Sequence, residues 1–131
     1  MSDHPNVNPA RESYDAIAKG DLELLRDTLL TDDVVFHVPG RGSLAGDHRG
    51  KDAVLRYVER LAETTGNSLR YEPETFLVND QHVAAMIRIR GDRDGEVLDE
   101  RGVHVFRLVD GRIAERWSYP YDSYVIDDFF S

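Results

Sequence analysis

The spacing of apolar positions changes near the middle of the chain. In the first half it is helical. Tyr14, Ile17 and Ala18 fall on one face at i, i+3 and i+4, and Leu22, Leu25 and Leu29 form the stripe of a second short helix. Pro9 suits a first helical turn, where its missing N–H costs nothing. Gly20 ends that helix, and Asp21 is placed to cap the next. Asp32-Asp33 breaks the pattern, and Val34 to Val38 reads as a strand stopped by Pro39-Gly40. Residues 40–50 read as a glycine-rich loop. A long helix is expected over 51–65, with Val54, Tyr57, Val58 and Leu61 on its apolar face and Gly66-Asn67 at its end.

From residue 68 the period falls to two. Strands are expected over 68–78, 82–90, 97–109 and 112–119. Asn79-Asp80, Arg93-Asp94-Gly95 and Asp110-Gly111 turn the chain between them. Residues 122–131 read as a tail, 1–8 as a flexible lead-in, and 9–131 as a single domain. Helices followed by a meander predict an α+β fold, a strongly curved mixed or antiparallel sheet wrapped around the helix at 51–65. A sheet that curls more than this helix can fill leaves an apolar cavity, a natural site for a small apolar ligand.

Composition narrows the function. The 131 residues can bury a core without staples, and the absence of cysteine excludes disulfides and thiolate metal ligands. A net charge of −9 argues against nucleic acid and against an anionic membrane surface. The start of the chain carries no basic and apolar signal segment. No apolar run approaches the ~20 residues a membrane span requires, so the cytoplasm is the expected compartment. The five histidines include no i, i+4 pair on a helix, so no metal site is expected. Gly40-Arg-Gly-Ser does not fit a phosphate loop, and no Gly-x-Ser-x-Gly elbow occurs. No cofactor is expected.

Several strings occur in a telling order: Ala18-Lys-Gly-Asp-Leu, Val38-Pro-Gly, Leu44-Ala-Gly, Gly50-Lys-Asp-Ala-Val, Val105-Phe-Arg-Leu-Val-Asp-Gly-Arg-Ile and Glu115-Arg-Trp-Ser-Tyr-Pro-Tyr-Asp. Together they resemble the SnoaL-like and ketosteroid-isomerase-like branch of the nuclear transport factor 2-like superfamily, over roughly residues 9 to 130. The resemblance implies a cone-shaped fold with a pocket at its open end and a homodimer built on the outer sheet face. It implies no single activity, since isomerases, cyclases, dehydratases, epoxide hydrolases and non-catalytic proteins share the fold. Polyketide cyclases of this type carry a histidine where this chain has His104 and an acid where it has Ser118. Ketosteroid isomerases carry a base where it has Val38 and a hydrogen-bond donor where it has His104. Their tyrosine falls near Ser13, beside Tyr14.

The candidate site follows from these positions. His104 alternates with Phe106 and Leu108 on an apolar strand face and is either a pocket acid/base or a core histidine. His37, Tyr14, Tyr57, Phe106, Ser118 and Trp117 are candidate ligand contacts. Alternation puts Trp117 opposite Ser118, on the outer face if Ser118 points inward. Asp122, just past Pro120, is expected either to reach over the pocket mouth as the missing carboxylate or to cap the tail. Two readings stay open: a cofactor-independent isomerase, cyclase or dehydratase acting by proton transfer, and a non-catalytic binding module. A third, epoxide hydrolysis, needs two carboxylates around an arginine such as Arg88 or Arg90.

Overall fold

A computed structural model describes residues 4–131. The first helix, α1, spans Val7–Lys19, so it begins two residues before Pro9 and keeps that proline inside its first turn. The lead-in is tied down from His4 onward. His4 bonds Asp80, and the Asn6 side chain donates to the Asn79 and Asp80 carbonyls. Gly20 ends α1 in the left-handed conformation, and Asp21 caps α2, Leu22–Leu24, which runs on as a π-helical turn over Leu25–Leu29.

Six strands form one mixed sheet in the order β2-β1-β6-β5-β4-β3. They are β1 Leu30–Val38, β2 Gly46–Arg49, β3 Arg70–Val78, β4 His82–Arg93, β5 Glu96–Val109 and β6 Arg112–Pro120. Helix α3 covers Lys51–Thr65, and α4 covers Ser123–Phe130. This is an α+β arrangement, with β2 and β3 as open edges. β3 to β6 pair antiparallel as expected, whereas β1 runs parallel to β6 and joins the first half of the chain to the last strand.

Three expectations need correction. The strand at 34–38 begins at Leu30. Asp32-Asp33 does not end it, because a register shift between Leu30 and Val35 carries the polar pair through as an irregularity. The loop at 40–50 contains β2, a short polar strand on the sheet edge. The tail contains α4.

The inner sheet face holds the core. Val83, Ala85, Ile87, Leu98, Phe106, Leu108 and Ile113 are buried there against α1 and α3. Alternation along β5 is strict from Gly102 to Leu108: Gly102, His104, Phe106 and Leu108 are buried, and the residues between them are not. Gly102 has a steric reason to be glycine, since a Cβ there would lie 2.9 Å from the Pro120 Cα. Asp94-Gly95 and Asp110-Gly111 take positive φ, as two-residue hairpin turns require.

Candidate functional site

One apolar recess opens between the inner sheet face, α3 and α4. It is about 620 Å³ measured out to its mouth, most of it in the open mouth. Its enclosed part is therefore small. His104 and Ser118, directly opposed across β5 and β6, line its inner wall. Tyr57 from α3 and Tyr71 from β3 flank them, and Ile126, Asp127 and Phe130 of α4 close the other side.

His104 is buried, and its Nδ1 lies 2.9 Å from the Tyr14 hydroxyl. Burial, and after it the nearby Arg116 charge, hold the His104 pKa well below the ordinary histidine value, so the ring is neutral at pH 7. Burial likewise pushes Tyr14 up, partly opposed by Arg116, so its hydroxyl keeps its proton. Counting hydrogens selects the tautomer. If Nδ1–H donated to Tyr14, the buried tyrosine proton and the Nε2 lone pair would both lack partners. If Tyr14 donates to Nδ1, only one Nε2–H is left, on the recess wall. The second arrangement leaves fewer groups unsatisfied, so His104 presents a donor to the recess.

Arg116 is the unexpected member. It is 1% exposed, and neither Nε nor either Nη makes a well-formed hydrogen bond, the Tyr57 hydroxyl being near enough only for a poorly aligned one. The guanidinium lies over the Phe36 ring at 4.1 Å and 5.7 Å from the Tyr71 centroid. A desolvated cation–π contact returns about 2 kcal/mol. An uncompensated buried charge costs several kcal/mol, so the rings offset only part of the cost. The Ser118 Oγ is also buried without a partner.

Asp127 is the carboxylate on the recess lining. It accepts the Arg41 N–H at 3.0 Å and the Gly42 N–H at 3.2 Å, fastening α4 to the loop after β1. Gly40, at φ +107, lies so close that a Cβ there would collide with this carboxylate.

The SnoaL-like domain model matches residues 10–116. An uncharacterised protein of Mycobacterium tuberculosis is 31% identical over the whole of both chains. The chain belongs to the SnoaL-like family. Within the nuclear transport factor 2-like superfamily, its SnoaL-like fold matches Bal32a, from a soil-derived mobile gene cassette, at a TM-score of 0.91. That pair is 30% identical and the match covers 97% of each chain. A protein of Jannaschia sp. CCS1 assigned as a SnoaL-like polyketide cyclase superposes at 0.82 with 19% identity, over 100% of this chain and 98% of the other, a likeness of fold.

In this SnoaL-like chain the structure brings Tyr14, Tyr57, His104 and Ser118 together, with Phe106 packed edge-on beside His104. It separates the others. Asp122 is exposed, and its carboxylate accepts the Tyr124 N–H at 3.0 Å as the N-cap of α4; the aspartate on the recess is Asp127. His37 and Trp117 stack on each other across β1 and β6 on the outer face, where His37 pairs with Asp47 at 2.7 Å and with Glu115. Val38, next to His37, turns inward and lines the recess. Arg88 and Arg90 also face outward, paired with Asp99 and Glu72. Epoxide opening therefore finds no carboxylate set around them in the recess.

Sequence reasoning missed Arg116, Tyr71 and Asp127. For Arg116 the signal was present, because an inward Ser118 forces the residue two places earlier inward as well. For Asp127 the signal was the apolar spacing of Ile126, Phe129 and Phe130 behind a capping aspartate. Tyr71 sits on an edge strand and gave none. Among the described residues no cluster of three acidic or imidazole groups is suited to a metal, and no helix is long and apolar enough to cross a membrane.

Proposed function

We propose that the recess is the active site of a cofactor-independent enzyme that moves a proton on a small, largely apolar carbonyl compound. Asp127 takes a proton from the carbon beside the carbonyl. The released electron pair moves onto the oxygen, and the Nε2–H of His104 stabilises that oxyanion. The proton then returns to another carbon in an isomerisation. In a cyclisation the carbanion attacks a second carbonyl, whose oxygen takes the proton held by Asp127; in a dehydration the electron pair returns to form the double bond and a β-hydroxyl leaves as water with that proton. The supporting observation is the buried Tyr14–His104 pair on the recess wall, which fixes a neutral donor where charge would develop.

The test is deuterium uptake. Cyclic ketones and enones that bind the chain are incubated in D2O, and exchange beside the carbonyl is followed by NMR. Loss of the donor in His104→Ala is expected to slow exchange about 10²–10³-fold. Ligands that bind without any accelerated exchange would establish the second reading, a binding module. That reading is favoured by one observation: Asp127 is already engaged by two backbone N–H groups.

The outer sheet face carries two apolar rungs, Ala84–Val105–Trp117 and Met86–Val103–Tyr119, rimmed by ion pairs. We propose that it pairs with a second copy of the chain. A solution mass of two chains would support this, and a mass of one at all concentrations would exclude it.

A further inference from the structure

Two buried polar groups on the inner wall are left unsatisfied by the chain, and they lie two residues apart on one strand face. Ser118 reaches the recess directly. Arg116 sits one strand repeat deeper, behind the recess-lining rings, and its charge acts on Tyr14, Tyr57 and His104. No carboxylate of the described residues pairs with Arg116. Buried polar groups in folded chains nearly always find a partner, and an orphaned cation beside an orphaned hydroxyl leaves room for one from outside. The third group on this wall, His104 Nε2–H, is again a donor. All three therefore call for an acceptor, and the only fixed charge among them is positive.

We propose that the inner end of the recess is an anion subsite: the ligand is a small, mostly apolar acid bound as its anion, its oxygen held by His104 Nε2–H and the Ser118 hydroxyl in the field of Arg116. This rests on the recess being the ligand site and adds the charge of what it takes. Surface charge works the other way, since a chain of net −9 repels anions at long range. Selection for the anion is thus a property of the buried wall. The apolar lining disfavours acids that lack an apolar body, and the small enclosed volume disfavours bulky ones.

The experiment compares two probes of one shape, trans-cinnamate and its neutral amide, titrated into the full chain at pH 7. Backbone NMR shifts of His104 and Ser118 report the site, and calorimetry gives the affinity. Cinnamate is expected to bind at least about tenfold more tightly than the amide. The preference should vanish in Arg116→Met, which keeps the length of the stem and removes the charge. Equal affinities in the unmodified chain overturn the anion subsite and leave the recess as a ligand site. A preference that survives in folded Arg116→Met also overturns it. If neither probe moves His104 or Ser118, the recess reading falls as well. The unmodified chain decides between acid and amide even if Arg116→Met does not fold. If it folds, its melting temperature should equal or exceed that of the parent, because a buried uncompensated charge has gone.

Discussion

His104 and His37 belong to the same sheet, on opposite faces, and the two faces drive their titrations in opposite directions. His104 is enclosed by Tyr14, Tyr71 and Phe106 with Arg116 nearby, and burial followed by that charge keeps it neutral. At His37 burial also acts to lower the pKa, but hydrogen bonds with Glu115 and Asp47 outweigh it and raise the value. The outer face is compensated throughout: Arg88 with Asp99, Arg101 with Glu74, Arg107 with Glu115. The inner face holds a cation, an imidazole and a hydroxyl without an acid among them. Polar groups on the outside are matched to one another, while inside Arg116 and the Ser118 hydroxyl lack hydrogen-bond partners among the described residues. That asymmetry is what the proposed association of the outer face and the proposed ligand site of the inner face both rest on.

The comparison can be broken in three places. The largest effect is expected at Val105→Asp, in the middle of the apolar rungs. An unpaired carboxylate at the centre of an interface costs about 3–5 kcal/mol, so sedimentation should find a folded monomer. An unchanged mass would remove the outer face as a contact surface. Next is Tyr14→Phe, which deletes the hydroxyl that partners His104 Nδ1. Leaving that nitrogen buried and unpaired should cost about 1–3 kcal/mol in urea unfolding. A cost near zero would mean that the pair does not fix the ring.

The smallest effect is in pH, and the faces should differ in sign. The folded pKa of His104 is depressed, so the unfolded chain takes up a proton first, and stability falls as pH drops below about 6.5. The folded pKa of His37 is raised, so its contribution is full below about 6.5 and is lost as pH rises through the higher folded value. Melting curves of His104→Phe should lose the acid-side decline, and those of His37→Gln the alkaline one. Identical pH profiles for both variants would mean that the two environments do not differ.

Much of this fold is legible in the sequence where side chains carry the pattern. The helix at 51–65 has its stripe of Val54, Tyr57, Val58 and Leu61, and it ends at Thr65 as expected. The hairpin at Asp110-Gly111 is read from its turn residues. β2 is not legible. Gly46, Asp47, His48 and Arg49 pair through their backbone on a sheet edge, and no side-chain alternation announces them. The parallel pairing of β1 with β6 is also invisible, because it depends on residues most of the chain apart. In the site, His104 is legible from strand alternation. The exchange of Asp122 for Asp127 is not, since it depends on α4 forming: its first aspartate becomes a cap, and a later one faces inward. Arg116 was hidden by a general expectation that arginine lies at the surface.

The β1–β6 pairing has a further consequence, in the order of assembly. β1 leaves the ribosome early, and its partner is the last strand made. Phe36 lies opposite Arg116 in that pairing, so the ring that carries the guanidinium has no partner there until β6 has been made. Contacts between distant parts of a chain close slowly, and an open strand is prone to wrong pairing meanwhile. The charged wall of the recess is therefore among the last parts of the sheet to form, and a slow folding phase should report on the wall itself.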